Sequence, residues 1–284
     1  MISAYLTGIN SSARNRTENA AMLDMPFTIA EDVIAHYRND GFVRLPGLLD
    51  AEELAHYGAE ITRLTLALNT QVKPLEERET YDRAFLQVMN LWRSSEEARR
   101  FVFGKRLAGV AAQLLGVKAV RLYHDQSLYK EPSGGITPAH ADQYYWPLAT
   151  DRAITAWIPL QPVPLEMGPL EFYAGSHRSE IGRDLPISDE SEARITADME
   201  AQGFPIDRAA YALGDVSFHG GWTFHRAGPN RSRKPRSVMT MIYIDADMTV
   251  AEPVNRMQQS DLAQWLPGLQ PGDLAASPLN PLLL

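Results

Sequence analysis

Within the run Thr137-Pro138-Ala139-His140-Ala141-Asp142, a histidine and an aspartate stand two residues apart. An extended backbone sends alternate side chains to opposite faces, so in a strand His140 and Asp142 point the same way. A second histidine, His225, follows 85 residues later, and Arg236 lies 11 beyond it. Two imidazoles and one carboxylate on one side of a metal ion leave its opposite positions open, the arrangement of a non-haem Fe(II) oxygenase. The short pair alone is weak evidence, because 7 His and 35 Asp+Glu in 284 residues produce about one such match by chance. Its weight comes from the parts around it.

His219 and His225 compete for the third ligand position. His225 is preferred because the turn Gly228-Pro229-Asn230 separates it from Arg236 by a hairpin's length, which should return the chain beside its starting strand. His219 then supports the ligands, faces the substrate, or is a structural histidine. Arg236 opens the apolar run Ser237-Val238-Met239-Thr240-Met241-Ile242-Tyr243. A guanidinium buried there needs a partner. A cosubstrate carboxylate would pair with it bidentately, and a structural salt bridge to Asp215 is the alternative. Gln126 and Lys130 share one face of an expected strand over 118–130 and are candidates for the same pocket. Gln143, Tyr144 and Trp146, directly after the metal pair, are candidates to rim its mouth and stack on a ring or an apolar chain. Catalytic zinc also uses two histidines and a carboxylate, but the helical H-E-x-x-H motif is absent and Pro138 and Pro147 suit a strand and turn.

These residues need a rigid frame. Residues 1–25 read as a polar arm. Thr28 with Glu31 has the pattern of a capping box opening a helix to about residue 39, and Gly41-Phe42-Val43-Arg44-Leu45 reads as a short strand. Asp50 with Glu53 opens a second helix, on which Leu54, Tyr57, Ile61, Leu64 and Leu68 recur at helical spacing. Two more helices are expected over 94–103 and 105–115. Beyond Val117 short β-rich runs separated by Gly/Pro turns dominate, at 118–130, 153–160, 168–174, 213–218, 222–226 and 236–245. The expectation is a single domain, mainly β with buttressing helices. It comprises a mostly helical front (26–116), an eight-stranded jelly-roll, cupin-like core (117–246) with the site in its mouth, and an extended tail (247–284). The acidic stretch 178–210 reads as an insertion forming a lid or pocket wall.

Composition narrows the function classes. A net charge of −8 argues against a nucleic-acid partner. With no cysteine, disulfides, thiolate metal sites and cysteine nucleophiles are excluded. No run approaches the length of a membrane span, and the first residues show no basic stretch followed by an apolar one, so a cytoplasmic protein acting on a small molecule is expected.

His140-Ala141-Asp142, Gly168-Pro169-Leu170 leading to Gly175-Ser176-His177, Gly214-Asp215, His225-Arg226-Ala227-Gly228-Pro229-Asn230 and Arg236, in this order and preceded by Asp40-Gly41-Phe42-Val43, resemble the phytanoyl-CoA dioxygenase family. The likeness covers roughly residues 30–245. It implies a double-stranded β-helix using Fe(II), 2-oxoglutarate and O2. His140, Asp142 and His225 would bind iron, Arg236 would hold the distal carboxylate of 2-oxoglutarate, and Trp157 would line the cosubstrate pocket. Members often carry a hydroxyl residue two after the distal histidine; Ala227 stands there, which puts that assisting contact in doubt. In related halogenases a small residue replaces the carboxylate, so Asp142 points to hydroxylation or desaturation. The resemblance thus implies substrate oxidation with release of succinate and CO2, and the aromatic run Tyr144-Tyr145-Trp146 suits a small lipophilic metabolite. Two other readings stay open here: a metal-dependent cupin-like hydrolase or isomerase without 2-oxoglutarate, and a non-catalytic barrel with a structural metal.

Overall fold

The computed structural model describes residues 21–284, so all but the end of the expected N-terminal arm lies outside the described residues. Ten strands form two antiparallel sheets among the described residues. The larger contains β1 (Phe42–Leu45), β2 (Leu86–Met89), β3 (Val120–Lys130), β5 (Ala153–Pro159), β8 (Val216–Gly220) and β10 (Arg236–Asp245), in the order β1-β8-β5-β10-β3-β2. The smaller contains β4 (Thr137–His140), β6 (Leu170–Tyr173), β7 (Ile206–Arg208) and β9 (His225–Ala227), in the order β4-β9-β6-β7. Eight of these strands match the expected jelly-roll core, and β1 and β2 extend the larger sheet at its edges.

The two sheets share an apolar layer in which Phe42, Trp157 and Val238 of the larger meet Leu170, Phe172 and Ala227 of the smaller. Phe42 stacks on Phe172 with ring centroids 4.4 Å apart. The opposite face of the larger sheet is covered by α2 (Ala51–Leu68), α4 (Glu96–Val102) and α5 (Lys105–Leu115), whose apolar faces join Leu122, Met239, Met241 and Tyr243 in one core. This explains why β5 and β10 are apolar on both faces: each is buried along its whole length.

The expected helices form, with differences at their ends. In α2, Asp50 and Glu53 make the reciprocal capping box, and Leu54, Tyr57, Ile61 and Leu64 are buried, whereas Leu68 is exposed. Helix α1 (Glu31–Asp40) starts as spaced, but Ala30 occupies its cap position and no side chain caps it, so Thr28 does not perform that task. Between α2 and β3 the chain adds α3 (Thr80–Ala84) before β2. The stretch 178–210 contains α6 (Asp189–Ala201), capped by Ser188, and then β7. The tail is not simply extended. It carries α7 (Arg256–Trp265), opened by the Asn255 side chain accepting from the Gln258 amide. Only Met257, Leu262 and Trp265 mark an apolar side of this helix in the sequence, too few to reveal its period.

The hairpin expected between His225 and Arg236 does not form. β9 pairs with β4 and β6, while β10 pairs with β3 and β5, so the turn at 228–230 carries the chain from one sheet to the other. His225 and Arg236 therefore approach one cavity from opposite walls.

On the helical side of β3, the carboxylate of Asp125 accepts the backbone N–H of Leu91 at 2.9 Å and of Trp92 at 3.4 Å. Burial outweighs these bonds and pushes the Asp125 carboxyl up from its ordinary 3.8 to about 7. The folded chain then holds this proton more tightly than the unfolded chain, so stability is lost as pH rises through that interval. The loss is on the order of 4 kcal/mol. Asp125→Asn should flatten this part of the pH profile in urea unfolding between pH 4 and 8; an unchanged slope would show that Asp125 is not its source.

Candidate metal centre and its cavity

Antiparallel pairing of β4 with β9 sets His140 directly opposite His225, with ring centroids 4.2 Å apart. Ala141 keeps an extended backbone (φ −122°, ψ 132°), so strand alternation carries Asp142 to the face of His140 before the chain tightens into a 3₁₀ turn, Asp142–Tyr145. Asp142 Oδ1 then lies 3.5 Å from His140 Nε2 and 3.7 Å from His225 Nε2. Each of the three side chains presents one ligand atom within 4.8 Å of the others.

The surroundings hold these groups in the forms a metal needs. His140 Nδ1 contacts the Pro138 carbonyl at 2.7 Å, and His225 Nδ1 contacts the Thr223 carbonyl at 2.9 Å. A carbonyl only accepts, so each Nδ1 carries the proton and each Nε2 turns a lone pair inward. Asp142 Oδ2 accepts from Thr155 Oγ1 at 2.9 Å and from His219 Nε2 at 3.2 Å, leaving Oδ1 toward the two histidines. Burial pushes the Asp142 carboxyl up, but the histidines around it, His225 first, overcome it and hold the group well below the usual carboxylate range. Burial, with His140 and His219 beside it, keeps the His225 imidazole neutral. Neutral imidazoles and an ionised carboxylate are the ligand states that bind a divalent ion.

His219 thus supports Asp142 from behind while also lining the cavity. His219→Phe removes one of two donors to Oδ2 and should weaken metal binding by about 10–100-fold, the usual cost of losing such a support. Thr155 remains in place, so competition against a metal indicator should separate this partial loss from complete loss.

The cavity around the centre holds about 480 Å³ and is lined by both sheets. Arg236, 1% exposed, enters from β10. Its guanidinium lies 5.4 Å from the Trp157 ring centre, and its Nη1 donates to the Gly168 carbonyl. Gly168 is left-handed (φ 68°), and a Cβ there would fall 2.2 Å from the Gly228 carbonyl oxygen, so this backbone acceptor requires glycine. Arg236 Nε has no partner, and no carboxylate among the described residues lies within ion-pair distance of Arg236. Burial pulls its guanidinium down to about 10. The alternative salt bridge to Asp215 is absent: that carboxylate accepts from the Gly47 and Ala212 amides instead. Trp157, also on the cavity wall, has an unpartnered indole N–H.

The other sequence candidates divide. Gln126 and Trp146 line the cavity. Lys130 shares the face of Gln126 but lies beyond the cavity lining, its ammonium donating to the Gly135 and Gly228 carbonyls and to Thr137 Oγ1. It fastens the loop ends of the two sheets together. Gln143 and Tyr144 also lie off the lining. Gln143 donates to the Thr150 carbonyl, and the Tyr144 carbonyl accepts from Asn255 and Gln258. Three residues per turn in the 3₁₀ segment bring Tyr145, not Tyr144, onto the side of Asp142. The Tyr145 hydroxyl accepts the Ile187 amide at 2.7 Å, fixing Pro186 and Ile187 of the 178–210 insertion as cavity wall. Residues from α3, β2 and α7 that no sequence motif marked complete the lining.

A family model described as "Phytanoyl-CoA dioxygenase (PhyH)" matches residues 37–238, a span that ends in the first residues of β10 and includes the metal centre and Arg236. The chain belongs to the phytanoyl-CoA dioxygenase family. Among curated relatives, an ectoine dioxygenase of Streptomyces avermitilis is 25% identical over 254 residues, covering 81% of this chain and 83% of the relative. A probable alpha-ketoglutarate-dependent hypophosphite dioxygenase of Stutzerimonas stutzeri is 22% identical over 224 residues, covering 74% and 77%. Two solved structures from nogalamycin biosynthesis superpose over nearly their whole length. The epimerase SnoN in complex with Fe3+, alpha ketoglutarate and nogalamycin RO is 30% identical (TM-score 0.74; 89% of this chain, 98% of that one). The alpha ketoglutarate dependent carbocyclase SnoK is 28% identical (TM-score 0.75; 91% and 99%). The double-stranded β-helix of this phytanoyl-CoA dioxygenase family member is thus that of iron- and 2-oxoglutarate-dependent dioxygenases. No helix of the described residues is long and apolar enough to cross a membrane.

Proposed function

We propose that this chain is an Fe(II)/2-oxoglutarate-dependent oxygenase that hydroxylates or desaturates a small, largely apolar metabolite, releasing succinate and CO2. The reading rests on one observation: a two-histidine, one-carboxylate cluster opens into the same cavity as a buried guanidinium that lacks a carboxylate partner. His140, Asp142 and His225 hold the metal on one side. Bound Fe(II) supplies the oxidation, coupling O2 reduction and decarboxylation of 2-oxoglutarate to cleavage of a substrate C–H bond.

The chain's own residues bind, orient and exclude water. Arg236 takes the distal carboxylate of 2-oxoglutarate, giving the buried guanidinium the counter-charge it lacks. Thr137 lies directly across the β4–β9 pairing from Ala227 and lines the cavity. Its hydroxyl already receives a bond from Lys130, so its proton is available to the cosubstrate, replacing the hydroxyl absent at Ala227. Trp157 packs beneath the guanidinium and closes that end to water. Tyr145, Ile187 and Phe85 form an apolar rim that favours a lipophilic substrate. The helices and both sheets share continuous cores, which supports reading 21–284 as one folding unit. A cytoplasmic location, where 2-oxoglutarate is supplied by metabolism, fits the same reading.

The test is anaerobic addition of Fe(II) and 2-oxoglutarate. The expected result is a visible metal-to-ligand charge-transfer band, followed by succinate formation on admitting O2. Metal-dependent turnover of a substrate without 2-oxoglutarate, and no such band, would instead identify a hydrolase or isomerase.

A further inference from the structure

The cavity extends sideways from the metal centre into a chamber of different character. Antiparallel pairing places His219, Thr155, Ile242 and His124 in one row across four neighbouring strands. His124 therefore stands two strands, about 10 Å, from Thr155, the residue that holds Asp142. Along β3, Leu122 pairs with Tyr243 and His124 with Ile242, which leaves Tyr123 as the extra residue of a bulge. The bulge turns Tyr123 and His124 to the same side, a device that re-aims side chains near active sites.

Helix α7 closes this chamber with Met257, Asp261 and Trp265, four residues apart on one helical face. The Tyr123 hydroxyl donates to Asp261 Oδ2 at 2.8 Å, and the Trp265 ring lies 5.3 Å from that of His124. Met89, Trp146 and Ile242 make the remaining wall apolar. Two polar side chains here have capacity to spare. His124 is 5% exposed and its Nδ1 has no partner. The Asp261 carboxylate has no lysine, arginine or histidine within ion-pair distance among the described residues, only neutral donors. Burial raises its carboxyl to about 7 and lowers the His124 imidazole to about 3. An apolar chamber that keeps an uncompensated carboxylate and an orphaned imidazole nitrogen is built to meet something polar.

We infer that this chamber holds the substrate, and that Asp261, held by the Tyr123 hydroxyl and the Trp265 indole, receives a hydrogen-bond donor, an ammonium or hydroxyl, carried about 10 Å from the reacting carbon on an aromatic or apolar frame. Helix α7 is then the specificity element. The inference rests on the oxygenase reading only for the position of the reacting carbon. Its test uses the full chain loaded anaerobically with Fe(II) and 2-oxoglutarate and three matched probes: naphthylethylamine, naphthylethanol and ethylnaphthalene. Calorimetry should show at least one polar probe binding about 10–100-fold more tightly than the hydrocarbon, the worth of a hydrogen bond to a charged group. Asp261→Asn keeps an acceptor without the charge. It should erase a preference for the amine while leaving a preference for the alcohol within a few-fold; Asp261→Leu should erase both. Equal binding of all three probes, binding of none, or a preference untouched by both variants would overturn the inference. The visible Fe(II)–2-oxoglutarate band is read in the same samples. Its absence from the parent protein would sink the oxygenase reading, whereas its presence with no ranking of probes would sink only the role of Asp261.

Discussion

Asp142→Ala is expected to leave the protein folded but with strongly weakened iron binding, and to abolish succinate formation. The side chain provides the only anionic ligand of the cluster, and both flanking imidazoles are oriented by bonds to their own strands. Without the carboxylate, a divalent ion would face two neutral nitrogens in a cavity largely lined by apolar groups. Its affinity should fall by more than the roughly 10–100-fold expected for a supporting residue such as His219. The His219 N–H and Thr155 hydroxyl would also lose their acceptor, for a stability cost of about 1–3 kcal/mol. Metal content by mass spectrometry and coupled succinate assays check the expectation. Full iron occupancy with normal turnover in this variant would remove Asp142 from the centre.

Arg236→Met should act in opposite directions on stability and on cosubstrate binding. In the free protein the guanidinium is buried with its Nε unpartnered and no carboxylate nearby, so an apolar side chain of similar length should leave the melting temperature unchanged or raise it. In the parent protein 2-oxoglutarate at 100 times its Kd should stabilise the fold by about 2.7 kcal/mol, and in the variant at the same concentration that gain should fall below about 1 kcal/mol. Losing a buried charge partner costs about 2–5 kcal/mol, or roughly 30- to several-thousand-fold in the KM for 2-oxoglutarate. Thermal shift with and without 2-oxoglutarate separates these effects. If the variant is destabilised in the free state yet still stabilised by 2-oxoglutarate, Arg236 is a structural residue and the cosubstrate binds elsewhere.

The chemistry at the centre was legible in the sequence because it depends on local rules. Strand alternation is enough to put His140 and Asp142 on one face, and an arginine opening an apolar run announces an unmet charge. The Asp50–Glu53 capping box and the apolar period of α2 were equally readable, since both lie within one element. Partner choice between elements was not. Nothing local distinguishes a hairpin from a crossover at 228–230, and only the two-sheet topology decides that β9 seats His225 against His140 while β10 brings Arg236 from the other wall. Side-chain roles one residue away from a motif also depended on backbone detail: a 3₁₀ turn exchanged Tyr144 for Tyr145, and a bulge at Tyr123 reset the face of β3. The substrate chamber depended most on tertiary contact. Its α7 wall has weak periodicity, and Asp261 gains meaning only when packing across more than a hundred residues buries it against Tyr123. Local sequence determines which groups a strand or helix offers to one side; long-range packing decides which of those sides meet and how much water is left between them.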